Sequence, residues 1–388
     1  MTTDAAVVRF EPRSGEGWRD PFTMYRALRD HDPVHHVVDG DYWVLSRFDD
    51  VFAALRDTQT FSSAKGLTFS YDEMAAAGLE TVRPIVMLDP PDHTAFRRLV
   101  SAAFTPRRVA ALEAEVRAFV VERIEMLRTA GGGDVVAELF KPLPSMVVAR
   151  LLGVPEADRA RFDAWTEAII AATAAGDPLG APAAVGELFD FFSVLAEARR
   201  DEPGDDTLSA LVAGGADLLS VLGFAFTMVT GGNDTTTGLL GGAAELLTDR
   251  PDQRRVLIED PSSIPTAVEE LLRLTSPVQG LARTTTRRVG RIPKGRRVML
   301  LFASANRDER RFGEDAAELD VRRDPRPIVG FGYGSHHCLG AAAARLQARV
   351  TLEELLSRCP EFSVDAGAGI FARGHFVRRY QSLPFRAN

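Results

Sequence analysis

The stretch from Leu218 to Leu247 is apolar almost throughout, with Thr230-Gly231-Gly232-Asn233-Asp234-Thr235-Thr236-Thr237 at its centre. As a helix rising 1.5 Å per residue it spans roughly 45 Å, enough to cross a whole domain. Its length and hydrophobicity would suit a bilayer, but Asn233, Asp234 and the threonines sit at mid-length, where hydrocarbon penalises them most. The segment therefore reads as a buried central helix around which the rest of the chain packs. Gly231 and Gly232 weaken that helix by about 1 kcal/mol each relative to alanine, and taken alone they mark close packing against a neighbour.

The remainder is mostly helical in pattern. Asp20-Pro21 opens an amphipathic segment with Phe22, Tyr25 and Leu28 on one face, and the run from Val37 to Val44 reads as a hairpin around Asp39-Gly40. Helical periodicity follows at 49–57, 91–104, 107–129, 142–152, 155–173, 184–200, 217–247, 264–275 and 340–358. Short strands fit from Arg297 to Phe302 and after Phe362, including Phe376-Val377, and a polar, proline-rich irregular stretch runs from Gly313 to Pro327. The expected class is mainly α with a minor β portion (α+β). With 388 residues, 45% hydrophobic and no linker-like break, residues 1–388 are expected to form one domain.

Two cysteines without a framework spacing point to a reducing compartment. Met1 to Ala6 has no basic and apolar leader, so a cytoplasmic protein without a membrane anchor is expected, and a net charge of −8 argues against nucleic acid. His31, His35 and His36 lack the accompanying acids of a metal site and are assigned to a surface hairpin.

Cys338 closes the glycine-rich run Phe331-Gly332-Tyr333-Gly334-Ser335-His336-His337-Cys338-Leu339-Gly340, which leads into an alanine-rich helix. A thiolate at a helix N-terminus is stabilised by backbone N–H groups and the macrodipole, which should lower its pKa and make it a metal ligand. One thiolate cannot complete a zinc or iron–sulfur site, since Cys359 lies about six helical turns further on. A haem brings four ligands of its own. Gly334 and Gly340 would turn the backbone sharply and bring N–H groups to the sulfur, and Phe331 could exclude water. Other readings stand beside this one: an inert buried thiol, a phosphate loop built on Gly330, Gly332 and Gly334, or a cysteine–histidine nucleophile.

Phe331, Gly334, His336, Cys338 and Gly340 resemble the cysteine-loop signature of the cytochrome P450 superfamily, the haem-thiolate monooxygenases, and three further stretches match in that family's order. The resemblance implies a single-domain helix-rich fold with the long helix over the haem and the cysteine loop beneath it. Haem b would be held by Cys338 as axial ligand, with Phe331 and Gly340 against it. His93, Arg97, Arg283 and His336 stand where the family binds the propionates, as arginine forks and imidazolium donors. Gly231 and Gly232 would hollow the helix for dioxygen, Thr235 would hydrogen-bond it, and Asp234 would relay protons. Glu270 and Arg273, joined by Arg323, match a structural triad; the same E-x-x-R spacing recurs at Glu125 with Arg128 and at Glu197 with Arg200, so position alone singles it out.

Substrate contact is implied from the loop between Ser63 and Met87 and from the stretch around Ala171 to Ala184. Phe69, Tyr71, Met87, Met228, Val278, Leu281, Phe376 and Val377 are the named positions, with Gly232 and Thr235 beside them, and their apolar character suits a hydrophobic small molecule. Within the superfamily the segments around Phe140 to Met146 and Thr227 to Asp234 look most like a mycobacterial-type subfamily, the one numbered one hundred and thirty. The chain has no flavin, dinucleotide or four-cysteine fingerprint, so NAD(P)H would act indirectly, through a separate ferredoxin and ferredoxin reductase docking near Arg107, Arg108, Arg345 and Arg349. A non-catalytic haem ligand-binding or sensor protein, and a thiol-nucleophile hydrolase or transferase, are the alternative functions.

Overall fold

The computed structural model describes residues 8–69, 84–175, 177 and 180–387. Its axis is the helix Leu218–Asp249, which starts where the Asp217 carboxylate accepts the Ser220 N–H at 2.7 Å and runs roughly 48 Å. Apolar residues cover most of its circumference, so it is buried on several sides at once. The helices Pro142–Leu152, Arg159–Ala174, Pro182–Asp201, Ile264–Thr275 and Ala341–Arg358 all pack against it. Each large side chain withdrawn from water there, such as Phe224 or Leu247, stabilises the fold by about 1.5–3 kcal/mol. Two glycines in its C-terminal half serve close approach: a Cβ on Gly238 would lie 2.7 Å from the Arg378 carbonyl, and one on Gly242 2.6 Å from the Thr275 side chain. No helix among the described residues is long and apolar enough to cross a membrane.

Ten short strands complete the described fold: β1 (Val34–Val37), β2 (Tyr42–Leu45), β3 (Phe61–Ser62), β4 (Gly132–Asp134), β5 (Leu281–Thr285), β6 (Arg297–Leu300), β7 (Ser363–Val364), β8 (Ile370–Phe371), β9 (Tyr380–Ser382) and β10 (Pro384–Arg386). The largest sheet has the order β1-β2-β6-β5-β3, with β2 and β6 parallel and its other pairs antiparallel. Opposite Val298, its register fixes Arg283 at the middle of β5. β4-β10-β7 and β8-β9 form two smaller sheets.

The periodic segments appear as helices within a residue or two of their expected limits, with three exceptions: 107–129 divides into Pro106–Ala110 and Glu113–Thr129, the α-helix expected at 155–173 starts only at Arg159 after a 3-10 turn Glu156–Asp158, and the one expected at 91–104 ends at Ser101 with a 3-10 turn Ala102–Phe104 beyond it. Thr207–Ala213 and Pro251–Glu259 are additional helices, too short for a decisive pattern. The hairpin is present, but its turn spans Val38 to Asp41, and Asp41 rather than Gly40 takes positive φ, at 48°. Gly40 is needed for space: a Cβ there would lie 2.5 Å from the Tyr42 ring. Phe376 and Val377 form no strand; Val377 makes an isolated bridge to Val278. His35 and His36 lie on β1, as a surface hairpin requires.

Candidate active site

The cysteine loop is a backbone hairpin in which the Cys338 N–H donates to the Phe331 carbonyl at 2.9 Å. Left-handed backbone falls at Gly332 (φ 65°) and Gly334 (φ 71°). At Gly334 a Cβ would also stand 2.8 Å from the Leu55 carbonyl, so two constraints demand glycine. Gly340 departs from expectation: its φ of −82° is ordinary and it caps the helix Ala341–Arg358. Its use is room and polarity near sulfur, since its Cβ position is 4.0 Å from Cys338 Sγ and its N–H bonds the thiolate. The lowered thiol pKa is also corrected. Cys338 is reached by solvent yet densely surrounded, and burial pushes the thiol up by more than the Gly340 N–H, Arg97 and Arg345 pull it down. Deprotonation must come with a cation bound to the sulfur. Phe331 is partly buried, and the Arg345 guanidinium covers its ring at 4.6 Å.

Four nitrogen-bearing side chains gather beside this loop. The helix Asp92–Ser101 presents His93 and Arg97 one turn apart, the loop supplies His336, and β5 supplies Arg283. The His93 and His336 ring centroids are 4.1 Å apart. His336 Nε2 meets Ser63 Oγ at 3.2 Å, Arg97 Nη1 donates to the Ser335 carbonyl at 3.1 Å, and Arg283 Nη1 to the Ala282 carbonyl at 2.8 Å. These are backbone and hydroxyl contacts, where buried guanidinium groups ordinarily meet carboxylates. Burial pushes Arg283 down to about 10. His336 falls to about 3 through burial and then the charges of Arg283, His93 and Arg97, while burial and then Arg97 lower His93. In the protein by itself, burial and the neighbouring cations thus favour the neutral form of both rings, which then offer N–H donors. Among the described residues His93 Nδ1 is buried without a partner. A cluster this cationic, with an orphaned ring nitrogen and a thiol nearby, fits the carboxylates of a haem. Ser63 was not expected from sequence, as nothing marks one serine among many.

Beneath the loop, Glu270 and Arg273 are both 0% exposed and joined by two 2.7 Å hydrogen bonds. Arg273 also donates to the carbonyls of Asn306 (2.8 Å) and Ala316 (2.6 Å). Arg323 completes the triad loosely, 3.7 Å from Glu270 and 2.6 Å from Asp315. The lookalike pairs Glu125–Arg128 and Glu197–Arg200 lie at the surface.

On the central helix, Thr235 Oγ1 donates to the Gly231 carbonyl at 2.9 Å. Among the described residues nothing lies within 4 Å of the Gly231 Cβ position. Gly232 does not help to hollow the helix, because a Cβ there would lie 2.7 Å from Val148; it is a packing glycine. Asp234 is buried and pairs with Arg379 at 2.8 Å, a partner that sequence spacing could not reveal. Burial raises its carboxyl pKa despite Arg379 and Lys141.

Of the apolar positions, Phe69 stacks on Tyr42 (ring centroids 5.1 Å apart) and meets Phe376 at 5.4 Å, while Val278 bridges Val377. Met87 lies on a single turn against the central helix, Met228 on that helix, and Leu281 at the start of β5 opposite Leu300. Tyr71 lies outside the described residues. The basic patch is mostly neutralised: Arg108 pairs with Asp205 (2.5 Å), Arg345 with Glu269, and Arg349 with Glu113 (2.5 Å) and Glu353 (2.9 Å). Arg107 is exposed.

A thiol in a glycine-rich loop, with Arg97, Arg283, His93 and His336 gathered beside it, is the donor set of a haem-thiolate protein, and the Cytochrome P450 family model matches residues 245–367. The chain belongs to the cytochrome P450 family, whose members are monooxygenases using a cysteine-ligated haem. It is 60% identical over 394 aligned residues to Cytochrome P450 130 of Mycobacterium tuberculosis, covering 97% of both chains. It is 37% identical to the Vitamin D(3) 25-hydroxylase of Pseudonocardia autotrophica, covering 96% of this chain and 94% of that one. Among solved structures, Mycobacterium marinum cytochrome P450 CYP268A2 in complex with pseudoionone superposes with a TM-score of 0.84 at 33% identity, covering 95% of this chain and 96% of that one.

Proposed function

We propose that this monooxygenase inserts one atom of dioxygen into a lipophilic small molecule, by hydroxylation or oxidative dealkylation, with electrons from a separate ferredoxin and an NAD(P)H-dependent reductase. Residues 1–388 act as one domain. The observation that carries the site assignment is the convergence of Arg97, Arg283, His93 and His336 beside Cys338, with their hydrogen bonds spent on carbonyls and a hydroxyl and one ring nitrogen left over. When bound, the haem supplies the iron at which dioxygen is reduced and split, so that R–H, O2, two electrons and two protons give R–OH and water.

Cys338 would hold the haem iron through its sulfur, and the Gly340 N–H would temper the charge there. Arg97 and Arg283 would neutralise the propionates, and His93 and His336 would donate to them. Thr235 and Asp234 are the catalytic pair: the hydroxyl on the open face next to Gly231 holds a proton where dioxygen would sit, and the carboxyl renews it. The lipophilic substrate class is supported by the aromatic and aliphatic character of Phe69, Phe376, Met87, Met228, Val278, Leu281 and Val377, and by relatives named for vitamin D3 and complexed with pseudoionone. With three of its four arginines paired, the expected patch leaves electron-donor docking to rest on the family's requirement for a donor.

The reduced, carbon-monoxide-bound protein tests the ligand: its Soret band should be strongly red-shifted and lose that position in Cys338→Ser. With surrogate redox partners, Thr235→Ala should consume reductant at a comparable rate while most of it appears as hydrogen peroxide. Full coupling in that variant would remove Thr235 from the mechanism.

A further inference from the structure

β8 ends at Phe371 and β9 begins at Tyr380, and the turn between them, 372–379, carries Phe376 and Val377. One edge of this turn is bonded to the segment that leads into β5. There the Gln279 N–H donates to the Phe376 carbonyl and the Arg378 N–H to the Pro277 carbonyl, each at 2.8 Å, around the Val278–Val377 bridge. The tip of the turn is held from the other end of the chain. The Gly15 N–H donates to the Ala372 carbonyl at 3.0 Å, the Ser14 hydroxyl to the Arg373 carbonyl, and the Trp18 indole N–H to the Gly374 carbonyl at 2.9 Å. Trp18 is 1% exposed and seated in the main apolar core, and its own carbonyl accepts Arg378 Nε at 2.7 Å. A single buried residue therefore grips Gly374 and Arg378, which lie two positions before and two positions after Phe376.

An aromatic ring carried by a turn outside any named strand is only as fixed as the backbone beneath it. The Phe376 ring meets Phe69 at 5.4 Å, and Phe69 in turn stacks on Tyr42, but these ring contacts tolerate sliding, whereas two hydrogen bonds from a packed tryptophan do not. A ring that must be ordered as a ligand arrives lowers affinity by the cost of ordering it, and a ring already held does not. Resting on the reading of Phe376 and Val377 as part of the substrate wall, we propose that Trp18 is a positioning residue for substrate selection. By bracketing Gly374 and Arg378 it sets where the Phe376 ring stands, and so how well the enzyme holds the hydrocarbon body of a lipophilic molecule. No part of Trp18 touches that molecule; the residue acts through the turn.

The test titrates the haem-loaded protein with imidazole and with 1-dodecylimidazole, and reads both Kd values from the Soret shift. Each ligand places a nitrogen on the iron, and only the second carries a tail that reaches the pocket wall. Trp18→Phe keeps an apolar ring in the core and removes the N–H that holds Gly374. It should weaken 1-dodecylimidazole about threefold to tenfold, the range of one lost hydrogen bond, and leave imidazole unchanged. Ser14→Ala, which removes the neighbouring bond to Arg373, should act in the same selective sense by a smaller factor, and it stands as the test if the phenylalanine variant does not retain haem. An equal change for both ligands, no change in either, or a gain in tail affinity, with or without a lower Tm, would show that Trp18 is only a structural anchor. Phe376→Ala separates the two assignments. If it weakens the tailed ligand selectively while the N-terminal variants do not, the role of Trp18 alone is wrong; if it leaves the ratio of the two Kd values intact, the wall assignment fails and the positioning role with it.

Discussion

Arg273 and Arg283 lie only a few residues apart in sequence, are both buried, and live in opposite electrostatic circumstances. Arg273 spends its guanidinium on both Glu270 oxygens and on the carbonyls of Asn306 and Ala316. Arg283 spends one N–H on the carbonyl of its own neighbour, and burial pulls its pKa down to about 10. A buried charge with every hydrogen bond made is part of the scaffold. A buried charge left short of partners raises the energy of the protein alone and is tolerated only where something else supplies the opposite charge. The same contrast separates neighbouring glycines, because Gly232 is pressed against Val148 while Gly231 faces space.

The largest effect should follow from breaking the saturated site. Arg273→Met strands Glu270 in the interior with Arg323 at 3.7 Å and the Asp320 N–H at 3.4 Å, which should cost about 3–5 kcal/mol. Thermal unfolding and the yield of folded protein would show it. The double variant Glu270→Leu/Arg273→Met should recover part of the loss, because no uncompensated charge remains; if it recovers none, the carbonyl bonds of Arg273 matter more than its ion pair.

Arg283→Leu should behave in the opposite way. Removing an under-partnered guanidinium should leave the haem-free protein at least as thermally stable, while haem affinity falls about tenfold to a hundredfold, the equivalent of one charge-assisted hydrogen bond of about 1.5–3 kcal/mol. Titrating haem into the apoprotein reads the affinity directly. A drop in apoprotein stability comparable to that of Arg273→Met would erase the distinction between the two arginines.

The glycine pair offers a smaller version. Gly232→Ala must push Val148 aside and should destabilise by about 1–3 kcal/mol. Gly231→Ala meets nothing and should stabilise the helix by up to about 1 kcal/mol while narrowing the open face. Tm shifts of opposite sign in these adjacent variants are the expected result.

How far the sequence revealed all this depends on whether the signal is local. The central helix, the amphipathic helices and the turn glycine Gly334 carry periodicity or a backbone demand within a few residues, and they were legible. The assignments of Cys338, His93, Arg97, Arg283 and His336 came from a family pattern, because no spacing rule joins a helix at 92–101 to a strand at 281–285. What stayed hidden was pairing over long separations. Arg379 on Asp234, Ser63 on His336 and the carboxylates that quench Arg108, Arg345 and Arg349 depend on tertiary proximity. The misassigned roles of Gly232 and Gly340 and the misjudged thiol pKa share a cause: each was inferred from chain position, while the surrounding side chains and depth of burial decided the outcome.

A third kind of arginine sharpens the contrast from the exposed side. The helices Glu113–Thr129 and Ala341–Arg358 are joined by a ladder in which Arg117 meets Glu113 (2.8 Å), Glu353 (2.6 Å) and Glu354 (2.5 Å), Arg349 meets Glu113 and Glu353, and Arg358 meets Glu125 (2.9 Å) and Glu354 (3.0 Å). The second helix follows directly from the cysteine loop, so the ladder ties the ligand to the scaffold through groups that water still reaches. Hydrogen bonds from Arg349 and Arg117 hold Glu113, and those from Arg128 and then Arg358 hold Glu125, below the ordinary carboxylate range. For a depressed carboxyl the contribution to stability is present above the unfolded-state pKa and is lost as pH falls through the folded value. Stability should therefore decline below about pH 4.5, starting near the ordinary glutamate pKa and continuing into the more acid range where the folded carboxylates protonate. Exposure and screening keep the Arg117 pairs at about 1 kcal/mol or less each. Arg117→Ala should thus lower Tm by only a few degrees, and 1 M salt should shrink the difference from the parent, whereas the same salt should leave the loss in Arg273→Met almost unchanged, since no solvent ion reaches a pair that is 0% exposed. Equal salt sensitivity in the two variants would mean that burial does not separate these sites.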